Sequence, residues 1–176
     1  MNLINQLNKK ELSELLSKCW MTHDGMWFYN CFLELGIDKA NKLNKSAISS
    51  LAAIEIKRFK KALGIEEGKI ETFEDFKNFF TSISEILIPE FMNVNWSFPE
   101  KDIMHWEFND KKCFAYNGMK MLGVTDKYEC GPIYRIECWL NGLGINYEIT
   151  PMIEKCISPN EGKCSGNFRL NFIQKS

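Results

Sequence analysis

Two histidines and five prolines in 176 residues leave little material for imidazole chemistry or a proline-rich linker. The basic and acidic residues nearly cancel, 22 against 23, for a net charge of −1. That balance argues against a general nucleic-acid binder, which needs a basic surface to offset phosphate charge, although a local patch remains open. No stretch reaches the about eighteen consecutive apolar residues that a membrane-crossing helix requires, so no span is expected. The opening Met-Asn-Leu-Ile-Asn-Gln-Leu-Asn-Lys-Lys lacks both a long apolar stretch and a small-residue cleavage site, so no signal peptide is expected. The expected location is therefore cytoplasmic, where thiols stay reduced. No internal repeat or low-complexity run interrupts the chain, and no Cys-x-x-Cys pair, the strongest zinc signature, is present.

What is present is an ordinary globular composition, 45% hydrophobic and 26% charged, over a length that suits one domain. Residues 1–88 read as helical. Leu12, Leu15, Leu16 and Cys19 recur at helical spacing over Lys9–Trp20, and His23-Asp24-Gly25 is expected to break that helix. A second helix runs from Met26 to Leu35 and ends at Gly36, with Asp24 as its cap. A third, starting at Asp38, carries Ala40, Leu43, Ala47, Leu51, Ile54 and Arg58 on one face. A fourth begins at Thr72, with Asp75 completing a capping-box-like pair, and lines up Phe73, Phe76, Phe80, Ile83 and Leu87 before Pro89 ends it.

In residues 89–176 the period drops to 2. Met92, Val94, Trp96 and Phe98 alternate with polar residues, as do Met104, Trp106 and Phe108, marking half-buried antiparallel strands. Turns are expected at Pro99–Asp102 and Asn109–Lys112, then a short strand over Cys113–Tyr116 and a short helix over Asn117–Leu122. Gly131-Pro132 opens a firmer helix with Ile133, Ile136, Trp139, Leu140 and Leu143 on its apolar face. Strands over Asn146–Lys155 and Asn167–Ile173 close the chain. The expectation is one α+β domain over residues 1–176, its N-terminal helices packed on one antiparallel sheet.

Seven cysteines are more than packing in a reduced chain usually asks for. Four sit where elements begin or turn: Cys113, Cys130, Cys156 and Cys164. Cys156 and Cys164 flank a segment rich in turn formers and would lie near the ends of one hairpin. Cys130 precedes a helix start, where the dipole lowers a thiol pKa. Four thiolates can hold zinc or an iron–sulfur cluster; small buried residues and a reactive thiol are the other readings. Cys19, Cys31 and Cys138 lie within helices and read as packing residues.

His23, beside Asp24, is a candidate metal ligand or general base. His105 falls on the polar face of its strand. Glu55, Lys57, Arg58, Lys60 and Lys61 read as a solvated helix surface. Arg135 and Arg169 can each grip a carboxylate bidentately, as ligand-binding or salt-bridge residues. The aromatic residues can pack a core or line an apolar ligand cavity.

The segments Trp20–Phe28, Cys113–Tyr116, Tyr128–Gly131, Arg135-Ile136 with Trp139-Leu140, and Cys156 through Arg169 resemble an uncharacterised family of small prokaryotic cytosolic proteins. More distantly, Cys156, Cys164 and Phe168-Arg169-Leu170-Asn171-Phe172 resemble the end of the 4-vinyl-reductase-like domain, which implies an α+β fold that binds small apolar molecules. The layout is also loosely similar to the thiazoline-carboxylate hydrolase family. Three functions stay open. One is a small-molecule-binding protein with a zinc site formed by Cys113, Cys130, Cys156 and Cys164, with His23 able to replace one ligand. Another is a hydrolase of C–N bonds with Cys130 as nucleophile, His23 as base, and Arg135 or Arg169 holding a substrate carboxylate. The third is a homodimeric interaction module without chemistry.

Overall fold

A computed structural model describes residues 6–65, 70–108 and 113–172. Helix α1 (Lys9–Leu35) begins at Asn8, whose side chain accepts the Glu11 N–H while the Glu11 carboxylate takes the Asn8 N–H, satisfying donors that an open helix end would orphan. The helix runs without interruption through His23-Asp24-Gly25, so the expected break is absent. A glycine costs a helix interior about 1 kcal/mol, too little by itself to split a helix of this length. Asp24 is accordingly not a cap.

Gly36, at φ 79°, turns the chain into α2 (Ile37–Ala62), which has no side-chain cap; Asp38 lies in its first turn. The face α2 buries is rotated from the expected one. Ala40, Asn41, Asn44, Ala52, Glu55 and Ile56 are buried, whereas Leu43 and Ile54 are exposed. Three polar residues on the inner face misled the periodicity. Asn41 shows why they are there: its amide donates to the Lys127 carbonyl at 2.9 Å and its oxygen accepts from the Glu129 N–H.

Helix α3 (Phe73–Leu87) follows the expected pattern, with the Thr72–Asp75 capping box formed and Phe73, Phe76, Phe79, Phe80 and Ile83 buried. After a 3₁₀ turn at Glu90–Met92 come strands β1 (Val94–Ser97) and β2 (Ile103–Phe108). The expected turn at residues 109–112 lies outside the described residues. Cys113 starts no strand: it is the N-cap of helix α4 (Phe114–Met121). Helix α5 (Gly131–Gly142) forms with Pro132 in its first turn. Strand β3 (Asn146–Thr150) ends earlier than expected, a one-turn helix α6 (Ser158–Glu161) interrupts the return, and β4 (Cys164–Asn171) closes the sheet.

The four strands pair antiparallel in the order β1-β2-β4-β3. The register sets Met104 opposite Phe168, Trp106 opposite Gly166 and Phe108 opposite Cys164, so one face of the two central strands is continuous and apolar. The core gathers this face with α2, α3 and α5, giving the α+β arrangement of helices on an antiparallel sheet. A smaller cluster joins Phe28 of α1, Ala40 of α2, Met119 of α4, Val124 and Tyr128.

Gly166 is fixed by close approach. A Cβ there would meet the Trp106 ring at 2.3 Å and the Thr150 carbonyl oxygen at 2.5 Å, and Trp106 is wholly buried with its ring 5.1 Å from Phe168. Neither backbone nor a packed indole can yield. Gly166→Ala is therefore expected to destabilise the fold by about 3 kcal/mol, the upper end of overpacking effects, read as a lower midpoint in urea denaturation.

Candidate functional site

Two adjoining cavities lie between α1 and the rest of the fold. The first, of about 120 Å³, is walled by Val94, Trp96 and Phe108 of the sheet, Ile133, Ile136 and Trp139 of α5, and Trp20 of α1. The second, of about 660 Å³, continues along α1 and α4 past Phe28, Phe91, Gly118 and Met119. Met21, Asp24, Asn44, Phe114 and Tyr128 line both. Trp20, Asp24 and Phe28 follow one another at four-residue spacing, so a single stripe of α1 forms this wall. That spacing, running straight across Gly25, is the signal in the sequence that contradicts a helix break.

The far end of the first cavity is held by a buried ion pair. Arg135 of α5 grips both carboxylate oxygens of Glu55 of α2, its Nε at 3.1 Å from Oε2. The Trp139 indole N–H donates to the same Oε2 at 2.8 Å. The guanidinium also lies over two indoles, 5.0 Å from the Trp20 centroid and 5.3 Å from that of Trp139. Glu55 is thus 6% exposed rather than part of a solvated surface. The bidentate grip expected of Arg135 exists, but the carboxylate it holds belongs to the chain. Arg169 is exposed on β4, across from Glu148 of β3, and lines neither cavity.

Two residues lining these cavities carry polar groups without a hydrogen-bond partner among the described residues. The Trp96 indole N–H is buried and has no hydrogen-bond acceptor among the described residues. Asp24 is exposed on α1 and lines both cavities; partial loss of water nonetheless raises its pKa, with Arg135 and then His23 opposing the rise. Among the described residues no hydrogen bond reaches its carboxylate. His23 itself is exposed on α1.

Beyond Tyr128 lies the cysteine corner. The Tyr128 ring packs edge-on against Phe28 at 5.7 Å, its hydroxyl accepts the Gly131 N–H, and its carbonyl accepts the Cys156 N–H. Cys113 and Cys130 begin α4 and α5. Cys156 falls in the connection before α6 rather than on a hairpin strand, and Cys164 opens β4 opposite Phe108. The fold brings the quartet into one neighbourhood: Cys130 feels the charge of Cys113, Cys164 and Cys156. It does not draw the four into a coordination sphere. Among the described residues no group of three or more His, Cys, Asp or Glu side chains is placed to hold a metal ion, and His23 does not join the quartet. Ligands of one tetrahedral zinc sit within about 4 Å of each other.

The thiols are not activated. Burial pushes Cys113 up to about 11, outweighing the nearby Tyr116 and Ala115 N–H groups. Burial likewise lifts Cys130 well above the ordinary thiol range, more than the α5 N-terminus lowers it through the Ile133 N–H. The expected low-pKa nucleophile at Cys130 is thus reversed by desolvation. Among the remaining cysteines, Cys19 is exposed rather than packed, while Cys31 and Cys138 pack against the two core clusters. His105 sits on the outer strand face, bonded to Asn167 at 2.8 Å.

A thiol with a pKa of about 11 is about one part in a thousand thiolate at pH 8, against about a quarter for an ordinary one. Iodoacetamide at pH 8, resolved by mass spectrometry, should therefore label Cys113 about two hundredfold more slowly than a free thiol peptide, and Cys130 no faster, with exposed Cys19 as the internal reference. The folded-state pKa lies above the unfolded value, so the protonated Cys113 thiol stabilises the fold fully below about pH 8.5. That contribution is lost as pH rises toward about 11.

Among the described residues no helix is long and apolar enough to cross a membrane. No curated protein and no solved structure matches the chain, and neither distant likeness, to the 4-vinyl-reductase-like domain or to the thiazoline-carboxylate hydrolases, finds a counterpart in these comparisons. A family model does match residues 5–133, a span that takes in α1 to α4, β1, β2, Cys113 and Cys130 and stops before Cys156 and Cys164. The chain accordingly belongs to a family of unknown function, DUF6125.

Proposed function

We propose that this protein binds a small, largely apolar molecule in the paired cavities beneath α1. The observation that carries the reading is a pair of adjoining, largely apolar cavities lined by aromatic residues and by Asp24, whose carboxylate has no hydrogen-bond partner among the described residues. Few convergent polar groups in a mainly apolar concavity are the usual make-up of a ligand site. Nile red, a neutral apolar fluorophore, is expected to brighten and shift to the blue on mixing with the full chain. Gly118 lines the larger cavity, and a Cβ at that position would meet nothing within 4 Å. Gly118→Phe should therefore weaken that binding about tenfold without lowering the melting temperature. Equal brightening in both proteins would sink the reading.

A second reading keeps the cysteine quartet as a soft-metal site, zinc or an iron–sulfur cluster. It is favoured by the electrostatic contact of Cys130 with the other three. The sulfurs would have to draw together and shed protons that burial now holds on. Elemental analysis of protein purified without added metal is expected to find about one zinc per chain if the quartet is such a site. Four titratable thiols and no metal would remove it, and a brown colour would indicate a cluster instead.

A further inference from the structure

Three charged residues line the two cavities: Asp24, Arg135 and Lys18. Two of them are already neutralised. Arg135 is held by Glu55, and Lys18 pairs with Glu14 at 2.7 Å while its ammonium lies over the Phe91 ring. Asp24 alone has no ion-pair or hydrogen-bond partner among the described residues. Together with Glu55 it leaves two carboxylates against one guanidinium around the first cavity, an excess of one negative charge. One helical turn to either side of Asp24 stand Trp20 and Phe28, with Tyr128 and Phe114 closing the opposite wall. The arginine already stacked on Trp20 at 5.0 Å is a cation settled on this same wall.

We infer that the molecule taken by these cavities is an amine: a cationic nitrogen seated on Asp24 among the aromatic rings, with an apolar body filling the larger cavity. The inference rests on the ligand-binding reading above and gives it a chemical class. An ammonium would supply the missing countercharge to Asp24, and ring faces add attraction for a cation. An anionic ligand would meet Asp24 as a like charge, and the one guanidinium in the wall is committed to Glu55.

Phenylbutylamine, phenylbutanol and phenylbutyrate share one body and differ only in head group, so displacement of Nile red from the full chain by each isolates the charge. The amine should compete about tenfold better than the alcohol, and the carboxylate worse than either. Asp24→Asn, nearly isosteric, should bring the amine back to the alcohol's affinity while leaving the alcohol's unchanged. A carboxylate that competes as well as the amine, or an amine preference that survives Asp24→Asn, overturns the inference and leaves an apolar site standing. If none of the three displaces the probe, the ligand-binding reading falls and the inference with it. Should Asp24→Asn fail to fold, the head-group order on the unmodified protein decides alone.

Discussion

The Glu55 carboxylate is the point on which the helical layer depends. It sits on α2, is gripped by Arg135 and Trp139 of α5, and through the stacking of Arg135 on Trp20 reaches α1 as well. Side chains from three helices therefore meet at one buried ion pair. Replacing such a pair by apolar groups can be neutral, but removing one member strands a charge and costs about 3–5 kcal/mol. Its value here is positional. It ties α5 to α2, and with α5 Ile133, Ile136 and Trp139, which are buried in the core and border the first cavity.

Tyr128 plays the corresponding part at the other end. Its ring lines both cavities, its hydroxyl takes the first N–H of α5, and its carbonyl takes the Cys156 N–H. The loop bearing Cys156 and the start of the helix bearing Cys130 are thus tied to the same residue that bounds the ligand space. Gly131 belongs to this joint: a Cβ there would meet the Tyr128 hydroxyl at 2.9 Å and the Asn44 amide at 3.1 Å. Whatever moves Tyr128 must therefore disturb the cysteine corner, and the reverse holds.

The sequence made the sheet legible because period-2 alternation in β2 and β4 needs no knowledge of a partner. Helix α3 was legible for a similar reason, since its phenylalanines carry the inner face unaided. The misreading of α2 comes from polar residues placed inward. Asn41, Asn44 and Glu55 turned the apparent apolar face of α2 away from the real one, and Glu55 passed for surface because its partners lie about eighty positions away. His23-Asp24-Gly25 passed for a break because propensity was weighed where packing decides. Cys130 feels Cys113, Cys156 and Cys164, but the burial that keeps these thiols protonated is a tertiary fact that no linear spacing encodes.

Continuity of α1 and capture of Arg135 together reverse the sign of the site. Had the helix broken at Asp24, that carboxylate would have spent itself on backbone N–H groups, and Arg135 would have been the group left to meet a ligand. An unbroken helix instead carries Asp24 into the cavity at helical spacing from Trp20 and Phe28. Glu55, arriving from α2, takes the arginine out of play. The same side chains that suggest an anion site when read singly make an acidic, aromatic one when folded, because each charge is worth only what its neighbours leave uncompensated.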